Sequence, residues 1–376
     1  MRQRGQGNER AVASRSIRTA SRTYSVDSGW GLLGDPDYWG RALDGPCRVA
    51  VLTSHSLRPR FRHVTEALGD PLVLTVPDGE AAKSLDVVAE IYSQLVEARF
   101  PRTGVLVGLG GGSVTDLAGF VAGTWKRGVR LVQAPTTLTS QVDAAIGGKA
   151  GVNLPAGKNL VGIIYQPERV VADRSVLETV PRRDILAGMA EVLKCGYIAD
   201  PEILSLLAQW SIGSSFSDGL TAELIRRSVD VKADLVEQDE MDLGVRRHLN
   251  YGHTLGQALE AATGFGRLNH GEAVGLGMLY AAAVSELQLG GAPGDLLGST
   301  RCHLRRIGLP VHMPVTIPFE TVWRLMANDK KAGSAGREFV ICERPGLARL
   351  VSAPSERLAR DAYRMATSPM SGEVTA

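Results

Sequence analysis

The sequence has few cysteines, almost no net charge and no long apolar run, and each shortage argues against a class of protein. The four cysteines, Cys47, Cys195, Cys302 and Cys342, lie far apart and lack the spacing of a zinc or redox motif. This pattern is typical of a protein whose thiols stay reduced in the cytoplasm. The net charge of +2 argues against a nucleic-acid binder that relies on a large basic surface. No run reaches the roughly 18–20 apolar residues of a membrane-spanning helix. We therefore expect a cytoplasmic protein that binds neither nucleic acid nor a membrane.

The length and composition are those of a globular protein. The 376 residues are enough for two domains with sizeable cores, and 44% of them are hydrophobic and 22% charged. Residues 1–23 are rich in Arg, Ser, Gln and Gly and carry few acids. We therefore predict a disordered leader over residues 1–23.

Short β-branched runs alternate with helical patterns in the first half of the chain. This alternation predicts an α/β domain with a parallel sheet over residues 24–177. After about residue 178, Leu/Ala/Glu-rich helical patterns dominate, with a strand signal at 338–342 as the exception. We predict an all-α C-terminal domain over residues 178–370. The predicted strands are 49–54, 72–76, 104–109, 129–135 and 169–173, and a helix is predicted from Leu85.

A glycine-rich turn, residues 110–113 (GGGS), follows the third predicted strand and opens a helix. Backbone N–H groups at such a helix start can bind a pyrophosphate, and Asp116 sits in the first helical turn. The surrounding GLGGGSVTDLAG is not a GxGxxG dinucleotide fingerprint, so a purely structural turn is about as compatible with this stretch alone.

The segment 135–162 reads as a long polar loop with many small residues, which is typical of a functional or a disordered segment. It contains Asp143, Lys149 and Lys158, and glycines flank both lysines. A surface lysine is the ordinary case, but the glycines favour close approach to an anion. Arg127, on the turn before the next strand, adds another cation.

Two histidines in residues 243–278 have the setting of a metal site. His253 and Gln257 are four residues apart and share a helix face, on which Arg246 and Asn250 also fall if the segment is helical throughout. His270 opens the next apolar helix. Two imidazoles and a carboxylate would form an open, zinc-like catalytic site, although a core histidine is more often simply hydrogen-bonded.

Glu191 is the candidate carboxylate. It lies three residues before Lys194 on a helix whose other residues are largely apolar, AGMAEVLKCGYI. An exposed pair at this spacing would be an ordinary surface ion pair, but a buried carboxylate needs a partner or a metal.

Several long motifs occur in one order along roughly two-thirds of the chain: PDGEAAKS, GGGSVTDLAGF, RGVRLVQAPTTLTSQVDAAIGGKAGVNLPAGKNLVG, YQP, AGMAEVLKCG, KADLVEQDEMDLGVRRHLNYGHTLG, HGEAVGLGM and NDKKAG. Together they resemble the dehydroquinate synthase family of sugar phosphate cyclases. The resemblance implies an N-terminal NAD-binding α/β domain, a helical C-terminal domain and an active site in the cleft between them.

The resemblance also implies residue roles. A zinc or cobalt ion would be held by Glu191, His253 and His270. NAD would be bound by Glu80, Lys83, Gly111, Gly112, Asp116, Thr136 and Thr137, beside Asp143, Lys149 and Lys158. The substrate phosphate and carboxylate, and the catalysis, would depend on Asp143, Lys149, Asn159, Lys194, Lys232, Arg246, Asn250, His253, Gln257 and Lys330. Arg127 matches a residue that the family lends across a homodimer interface.

The implied reaction converts a seven-carbon sugar phosphate acid, 3-deoxy-arabino-heptulosonate 7-phosphate, to 3-dehydroquinate. It comprises transient oxidation by NAD⁺, β-elimination of phosphate, return of the hydride and an intramolecular aldol closure. Buried, convergent lysines would hold the anionic substrate without a strongly basic surface.

One position departs from the family pattern. The family reads GHTxGHAxE where this chain reads GHTLGQALE, so Gln257 replaces a histidine. A glutamine can donate a hydrogen bond, but it cannot take up a proton or become charged. Lys232, Arg246 and Asn250 suit an acidic substrate, which disfavours cyclases of neutral sugar phosphates such as 2-deoxy-scyllo-inosose synthase or the valiolone-forming enzymes. Dehydroquinate synthase and an aminodehydroquinate synthase of antibiotic pathways both remain open.

Two further alternatives belong to other classes. An iron-dependent alcohol or glycerol dehydrogenase shares the fold type but has no need of so many lysines. A catalytically weak homologue that acts as a binding protein is suggested by Gln257 alone, and the intact metal ligands argue against it.

Overall fold

The computed structural model describes residues 12–45, 47–264, 266–290, 295–313, 315–327 and 338–368. The strands are β1 Ala13–Arg18, β2 Thr23–Gly29, β3 Val49–Ser54, β4 Leu72–Val76, β5 Val105–Gly110, β6 Arg130–Pro135, β7 Lys149–Leu154, β8 Gly157–Ile164, β9 Arg169–Asp173, β10 Glu338–Arg344 and β11 Leu347–Ser352. The helices are α1 Pro36–Ala42, α2 Leu57–Arg60, α3 Arg62–Ala67, α4 Leu85–Glu97, α5 Gly112–Thr124, α6 Arg182–Ile198, α7 Glu202–Leu207, α8 Gly219–Gln238, α9 His253–Ala262, α10 His270–Gln288, α11 Leu296–Ile307, α12 Phe319–Ala327 and α13 Glu356–Thr367.

The chain divides into two compact units. The first contains Met1–Pro181 and Ser215–Met241, and the second contains Arg182–Ser214 and Asp242–Ala376. The sequence-based division near residue 178 therefore differs for residues 215–241, which belong with the first unit. Their helical pattern shows that they form a helix, but periodicity does not show which core a helix packs against.

A seven-stranded sheet in the order β1-β2-β9-β6-β5-β3-β4 forms the centre of the first unit. All neighbouring strands are parallel except β1 and β2, so the predicted parallel sheet is confirmed. Side chains alternate between the faces: Ala50 and Leu52 enter one apolar core with α4 and α5, while Val49 and Val51 enter a second core on the opposite face. Buried on both faces, the central strands are almost wholly apolar.

The predicted leader is wrong for residues 13–23, and residues 1–11 lie outside the described residues. Residues 13–18 form the edge strand β1, which pairs with β2. Arg15 in β1 also makes ion pairs with Asp230, Asp234 and Glu237 on α8. Composition alone did not reveal this segment, because its sequence is polar and its ion-pair partners lie more than two hundred residues away along the chain.

The predicted loop over 135–162 is wrong for most of its length. A π-helical turn covers Ser140–Ala144, and β7 and β8 form an antiparallel hairpin. Gly151 and Gly162 face each other across this hairpin, where a Cβ on Gly151 would lie 2.9 Å from the carbonyl oxygen of Val161. The glycines that suggested a loop instead let two backbones approach closely.

The second unit is mainly helical, with a two-stranded antiparallel sheet, β10 and β11. The strand signal at 338–342 is confirmed by β10, but the all-α prediction for this domain left the sheet out. Nearly every side chain of α6 from Ala187 to Ile198, and of α10 from Gly271 to Ser285, is buried. A helix buried all round packs against neighbours on several sides, so these two are the central helices of the unit. Among the described residues, no helix is long and apolar enough to cross a membrane.

Candidate active site

The glycine-rich turn lies in the first unit where β5 ends and α5 begins. Gly111 is the N-cap residue of α5, which starts at Gly112. The backbone N–H of Thr136, just after the neighbouring strand β6, donates to the carbonyl oxygen of Gly110 at 2.9 Å, and a Cβ on Gly111 would lie 3.2 Å from Thr137. Gly111, Gly112, Thr136 and Thr137 are thus brought together at the carboxyl ends of parallel strands, the usual ligand-binding edge of such a sheet.

A polar network connects four further predicted residues in the same unit. The ammonium group of Lys83 donates to Asp116 at 2.6 Å and to the side-chain oxygen of Asn159. Asn153 accepts from the backbone N–H of Asn159 at 2.9 Å and donates to Glu80 at 2.8 Å. Burial raises the pKa of Asp116 to about 6, although the charge of Lys83 lowers it. Lys83 itself is only 3% exposed, so this is a built polar cluster rather than a surface pair.

Asp143 and Lys232 form an ion pair within the first unit. Lys232 is at the centre of α8 and is nearly buried, while Asp143 lies in the π-helical turn after β6. This contact explains why α8 belongs with the first unit. Lys149 and Lys158 lie on the hairpin β7–β8 with exposed side chains.

Arg127 is not brought to the glycine-rich turn within the unit. It follows the far end of α5, a helix about 20 Å long that begins at that turn. Both Lys126 and Arg127 have positive φ angles, 48° and 63°, which non-glycine residues seldom adopt. The turn presents Arg127 as an exposed side chain.

The three predicted metal ligands converge in the second unit. Each of the three residues, Glu191, His253 and His270, offers one ligand atom, and these three atoms lie within 4.8 Å of one another. Oε1 of Glu191 is 3.3 Å from Nε2 of His270 and 3.8 Å from Nε2 of His253. Ligand atoms around a tetrahedral zinc ion lie about 3.3–3.6 Å apart at normal bond lengths. The donor set and its spacing fit a divalent ion with three protein ligands and an open position.

Close packing of three helices sets these distances. Glu191 is on α6, His253 begins α9 and His270 begins α10. A Cβ on Gly277 of α10 would overlap with the carbonyl oxygen of Gly252, just before α9, and a Cβ on Gly271 would overlap with the backbone of Ala187 on α6. Glycine at 271 and 277 therefore lets α10 approach both partners closely enough for the ligands to meet.

Lys194 is next to the metal ligands. Its ammonium group donates to Oε2 of Glu191, and both side chains are 1% exposed. The contact with a carboxylate compensates for the burial of the lysine side chain. Arg246 is also fully buried.

The predicted helix that was to carry Arg246, Asn250, His253 and Gln257 is broken. Residues Val245–Asn250 form a 3-10 helix, and α9 starts after Gly252, whose φ is 82°. Asn250, His253 and Gln257 nonetheless line one cavity of about 90 Å³. Its other walls include Arg247 and Thr254 and an apolar side formed by Tyr280, Trp323, Met326 and Phe339.

The imidazole of His270 has an acidic neighbour at each nitrogen. Nδ1 is 3.2 Å from Glu260, and Nε2 faces Glu191. Burial alone would lower the pKa of His270, but the hydrogen bonds and charges of the two carboxylates outweigh it and raise the pKa to about 10.

Glu260 and Arg247 are not among the residues predicted from the sequence. Glu260 is seven residues after His253, a two-turn spacing that places both on one face of α9 and was visible in the sequence. Arg247 gave no such signal. The predicted substrate residue Lys330 lies outside the described residues.

The comparisons with known proteins agree with this geometry. The family descriptions "3-dehydroquinate synthase N-terminal" and "3-dehydroquinate synthase C-terminal" match residues 73–187 and 188–332. The chain belongs to the 3-dehydroquinate synthase family. A family member from Thermobifida fusca (strain YX), named 3-dehydroquinate synthase, is 42% identical over 354 residues, which cover 92% of this chain and 94% of that protein.

Further relatives give the same result. A 3-dehydroquinate synthase from Geobacter metallireducens is 40% identical over 87% of this chain and 92% of its own length. The solved structure of 2-epi-5-epi-valiolone synthase from Streptomyces hygroscopicus subsp. jinggangensis 5008, with NAD⁺ and Zn²⁺ bound, has a TM-score of 0.83 at 25% identity. That match covers 94% of this chain and 99% of the other. The predicted family and fold class are confirmed.

Proposed function

We propose that this chain is a 3-dehydroquinate synthase, which converts 3-deoxy-arabino-heptulosonate 7-phosphate to 3-dehydroquinate and inorganic phosphate. The observation that carries the proposal is the buried cluster of Glu191, His253 and His270 with Lys194 paired to its carboxylate. Membership of the family over most of the chain supports the same reaction.

Two cofactors complete the proposal. Glu191, His253 and His270 would hold Zn²⁺ or Co²⁺, and the glycine-rich turn with Glu80, Lys83, Asp116, Thr136 and Thr137 would hold NAD. When bound, NAD⁺ accepts a hydride from a carbinol carbon and later returns it, and the divalent ion polarises the oxygen on that carbon.

The chain's own residues would bind the substrate. Lys194, Arg246 and Asn250, which are buried or half-buried, suit the recognition of a carboxylate and neighbouring hydroxyl groups. Gln257 donates from its amide where the family pattern has a histidine, and it serves as a neutral partner for the phosphate.

Further cations serve the same substrate. Lys232 with Asp143, and Lys149, Lys158 and Asn159 on the hairpin or beside it, supply charge and donors in the first unit. Lys330 is proposed to add another cation. Each charge is local, which is consistent with a net charge of only +2.

We also propose that the protein works as a homodimer in the cytoplasm. Arg127 is exposed on a turn with an uncommon backbone conformation, far along α5 from the glycine-rich turn, which suits a residue lent to a second subunit. Four cysteines without a disulfide or redox spacing suit a reducing compartment.

The experiment that tests the reaction follows phosphate and NADH together. Purified protein with Zn²⁺ or Co²⁺ and NAD⁺ is given 3-deoxy-arabino-heptulosonate 7-phosphate. We expect phosphate to be released over many turnovers with no net accumulation of NADH, because the hydride is returned. Stoichiometric formation of NADH would instead identify a dehydrogenase of the iron-dependent alcohol type, and the absence of both would contradict the proposal.

A further inference from the structure

We propose that Glu260 is a positioning residue, which fixes the tautomer and ring orientation of His270 so that Nε2 is presented to the metal ion. The inference rests on the proposed function because it concerns the metal site of that reaction. Glu260 is not one of the three ligands, and it acts through His270.

The two nitrogens of His270 face two different carboxylates. Nδ1 is 3.2 Å from Oε2 of Glu260, and Nε2 is 3.3 Å from Oε1 of Glu191. A carboxylate only accepts hydrogen bonds, so Glu260 keeps a hydrogen on Nδ1. A histidine binds a metal through a nitrogen that carries no hydrogen. With the hydrogen on Nδ1 held by Glu260, the nitrogen left for the ion is Nε2, which points toward Glu191 and His253.

Helix α9 delivers a ligand and the positioning residue from one face. His253 is its first residue, and Glu260 follows two turns later. Gly256 lies between them, and a Cβ there would be 3.1 Å from the carbonyl oxygen of Ala273 on α10. Because the helices approach this closely, the short side chain of Glu260 reaches the ring of His270, and it is itself only 12% exposed.

The backbone of His270 is fixed independently of Glu260. Asn269 and Glu272 form a reciprocal capping box at the start of α10, and Arg183 makes an ion pair with Glu272. These contacts hold the backbone at the helix start but do not touch the imidazole. Rotation of the ring about its side-chain bonds is therefore restricted by Glu260 and Glu191.

The second histidine has a corresponding acceptor of a different kind. Nδ1 of His253 is 3.3 Å from the backbone carbonyl oxygen of Tyr251. Both imidazoles thus have an acceptor at Nδ1 and direct Nε2 toward Glu191, which is the arrangement that orients metal-binding histidines in general. For His270 the acceptor is a side chain, so it can be removed by substitution.

The test uses two variants of Glu260 and a matched control in the full-length protein. Glu260→Leu removes the acceptor and keeps most of the volume, whereas Glu260→Gln keeps a neutral acceptor. Glu286→Ala is the control: it removes another half-buried glutamate, from the same helix as His270 but about 24 Å further along it. Zn²⁺ affinity is measured by competition with a chelator, thermal unfolding is measured without metal, and the absorption spectrum is recorded with Co²⁺.

We expect Glu260→Leu to fold and to weaken Zn²⁺ binding by about 10- to 100-fold. Metal-free unfolding measures separately the stability lost with the contact between Glu260 and His270. Glu260→Gln should recover most of that affinity and still shift the Co²⁺ absorption, since a neutral acceptor makes the imidazole a weaker donor. Glu286→Ala should leave the Zn²⁺ affinity and the Co²⁺ absorption unchanged.

Zn²⁺ affinity in Glu260→Leu equal to that of the unmodified protein would overturn the inference, and so would an equal loss in Glu286→Ala. If Glu260→Leu does not fold, the Co²⁺ spectrum of Glu260→Gln decides, because a packing role would leave it unchanged. Failure of the unmodified protein to bind Zn²⁺ would instead contradict the proposed function.

Discussion

Gln257 occupies the position at which the resemblance to the family leads us to expect a histidine. Its side chain is exposed to the cavity that Asn250 and His253 also line. A glutamine donates a hydrogen bond at every pH, whereas a histidine changes its charge near neutral pH. The pH dependence of the reaction should therefore carry the signature of this substitution.

We predict that Gln257→His leaves kcat/KM for the acidic sugar phosphate within about tenfold of the unmodified protein near pH 6. It should add a decline between about pH 6 and pH 8, as the imidazole loses its proton and its attraction for phosphate. The pH profile of kcat/KM for both proteins checks this. Superimposable profiles would show that residue 257 does not face the phosphate.

Asp116 gives a second prediction at this scale, on stability. Burial raises its pKa in the folded protein to about 6, above its ordinary value. Between about pH 4 and pH 6 the folded state retains a proton that the unfolded chain has lost, so this group's contribution to stability falls as pH rises through that range. In Asp116→Asn the contribution is absent.

The free energy of unfolding, measured by denaturant titration without NAD, should therefore fall more with rising pH in the unmodified protein than in Asp116→Asn between about pH 4 and pH 6. Above about pH 7 the difference between the two should be constant. A difference that is constant from pH 4 upward would contradict the raised pKa.

The candidate residues of the site were accessible from the sequence because of their chemistry. Two histidines with a buried glutamate define a metal site by residue type, and the structure places all three together. The spacing of Glu260 from His253 was visible in the sequence, but its contact with His270 was not, because that contact depends on the distance between α9 and α10. That distance is set by glycines, whose effect is only visible once the helices are packed.

At the scale of elements, the approach of α10 to its neighbours is the feature on which the metal cluster depends. A methyl group at position 277 would meet the carbonyl oxygen of Gly252, which is backbone and cannot move aside cheaply. Helices in contact through glycine lose that contact when a side chain is introduced. A side chain at position 277 should therefore lower the stability of the fold and move His253 and His270 further apart.

We predict that Gly277→Ala lowers the free energy of unfolding by about 1–3 kcal/mol or more and weakens Zn²⁺ binding. Gly213→Ala is the control, because a Cβ at residue 213 has no atom within 4 Å. Denaturant titration and chelator competition measure the two effects. If Gly277→Ala and Gly213→Ala behave alike, the close approach of α10 is not required.

Elements that are short apolar runs were predictable, and polar or glycine-rich strands that are stabilised by pairing with another strand were not. The strands β3, β4 and β9 match their predicted bounds, because each is a short run rich in apolar, β-branched residues. Strand β1 and the hairpin β7–β8 were missed. Their sequences are polar or glycine-rich, and each is stabilised by pairing with another strand.

At the scale of the whole molecule, the chain returns to its first unit after beginning the second. Residues Ser215–Met241 belong with the sheet-containing unit, in which Lys232 meets Asp143. Sequence texture placed the boundary close to where the second unit starts. The sequence pattern did not show that residues 215–241 belong to the first unit, because a long helix has the same periodicity in either unit.

The proposed homodimer leads to a prediction about mixed subunits. Arg127→Ala and Lys194→Ala should each abolish phosphate release, the first by removing a residue lent to the partner and the second by removing a residue of the subunit's own site. After equal amounts are mixed and allowed to exchange, half the dimers contain one of each. One site of such a dimer is intact, so activity should return to about a quarter of that of the unmodified protein.

Mass measured by light scattering serves as the control that exchange has not changed the oligomer. No recovery from a preparation in which exchange is demonstrated would show that Arg127 acts within its own subunit or not at all.

The central claim is that this chain eliminates phosphate from an acidic sugar phosphate at a site that depends on Glu191, His253 and His270. Its most direct test compares phosphate release from 3-deoxy-arabino-heptulosonate 7-phosphate, its amino analogue and sedoheptulose 7-phosphate, with Zn²⁺ or Co²⁺ and NAD⁺ present. We expect the first to have the highest kcat/KM, and sedoheptulose 7-phosphate to be poorer by at least about 100-fold, because it lacks the carboxylate that Lys194, Arg246 and Asn250 are proposed to bind. Equal turnover of sedoheptulose 7-phosphate, or no phosphate from any of the three, would contradict the claim, and a preference for the amino analogue would assign the chain to the aminodehydroquinate branch instead.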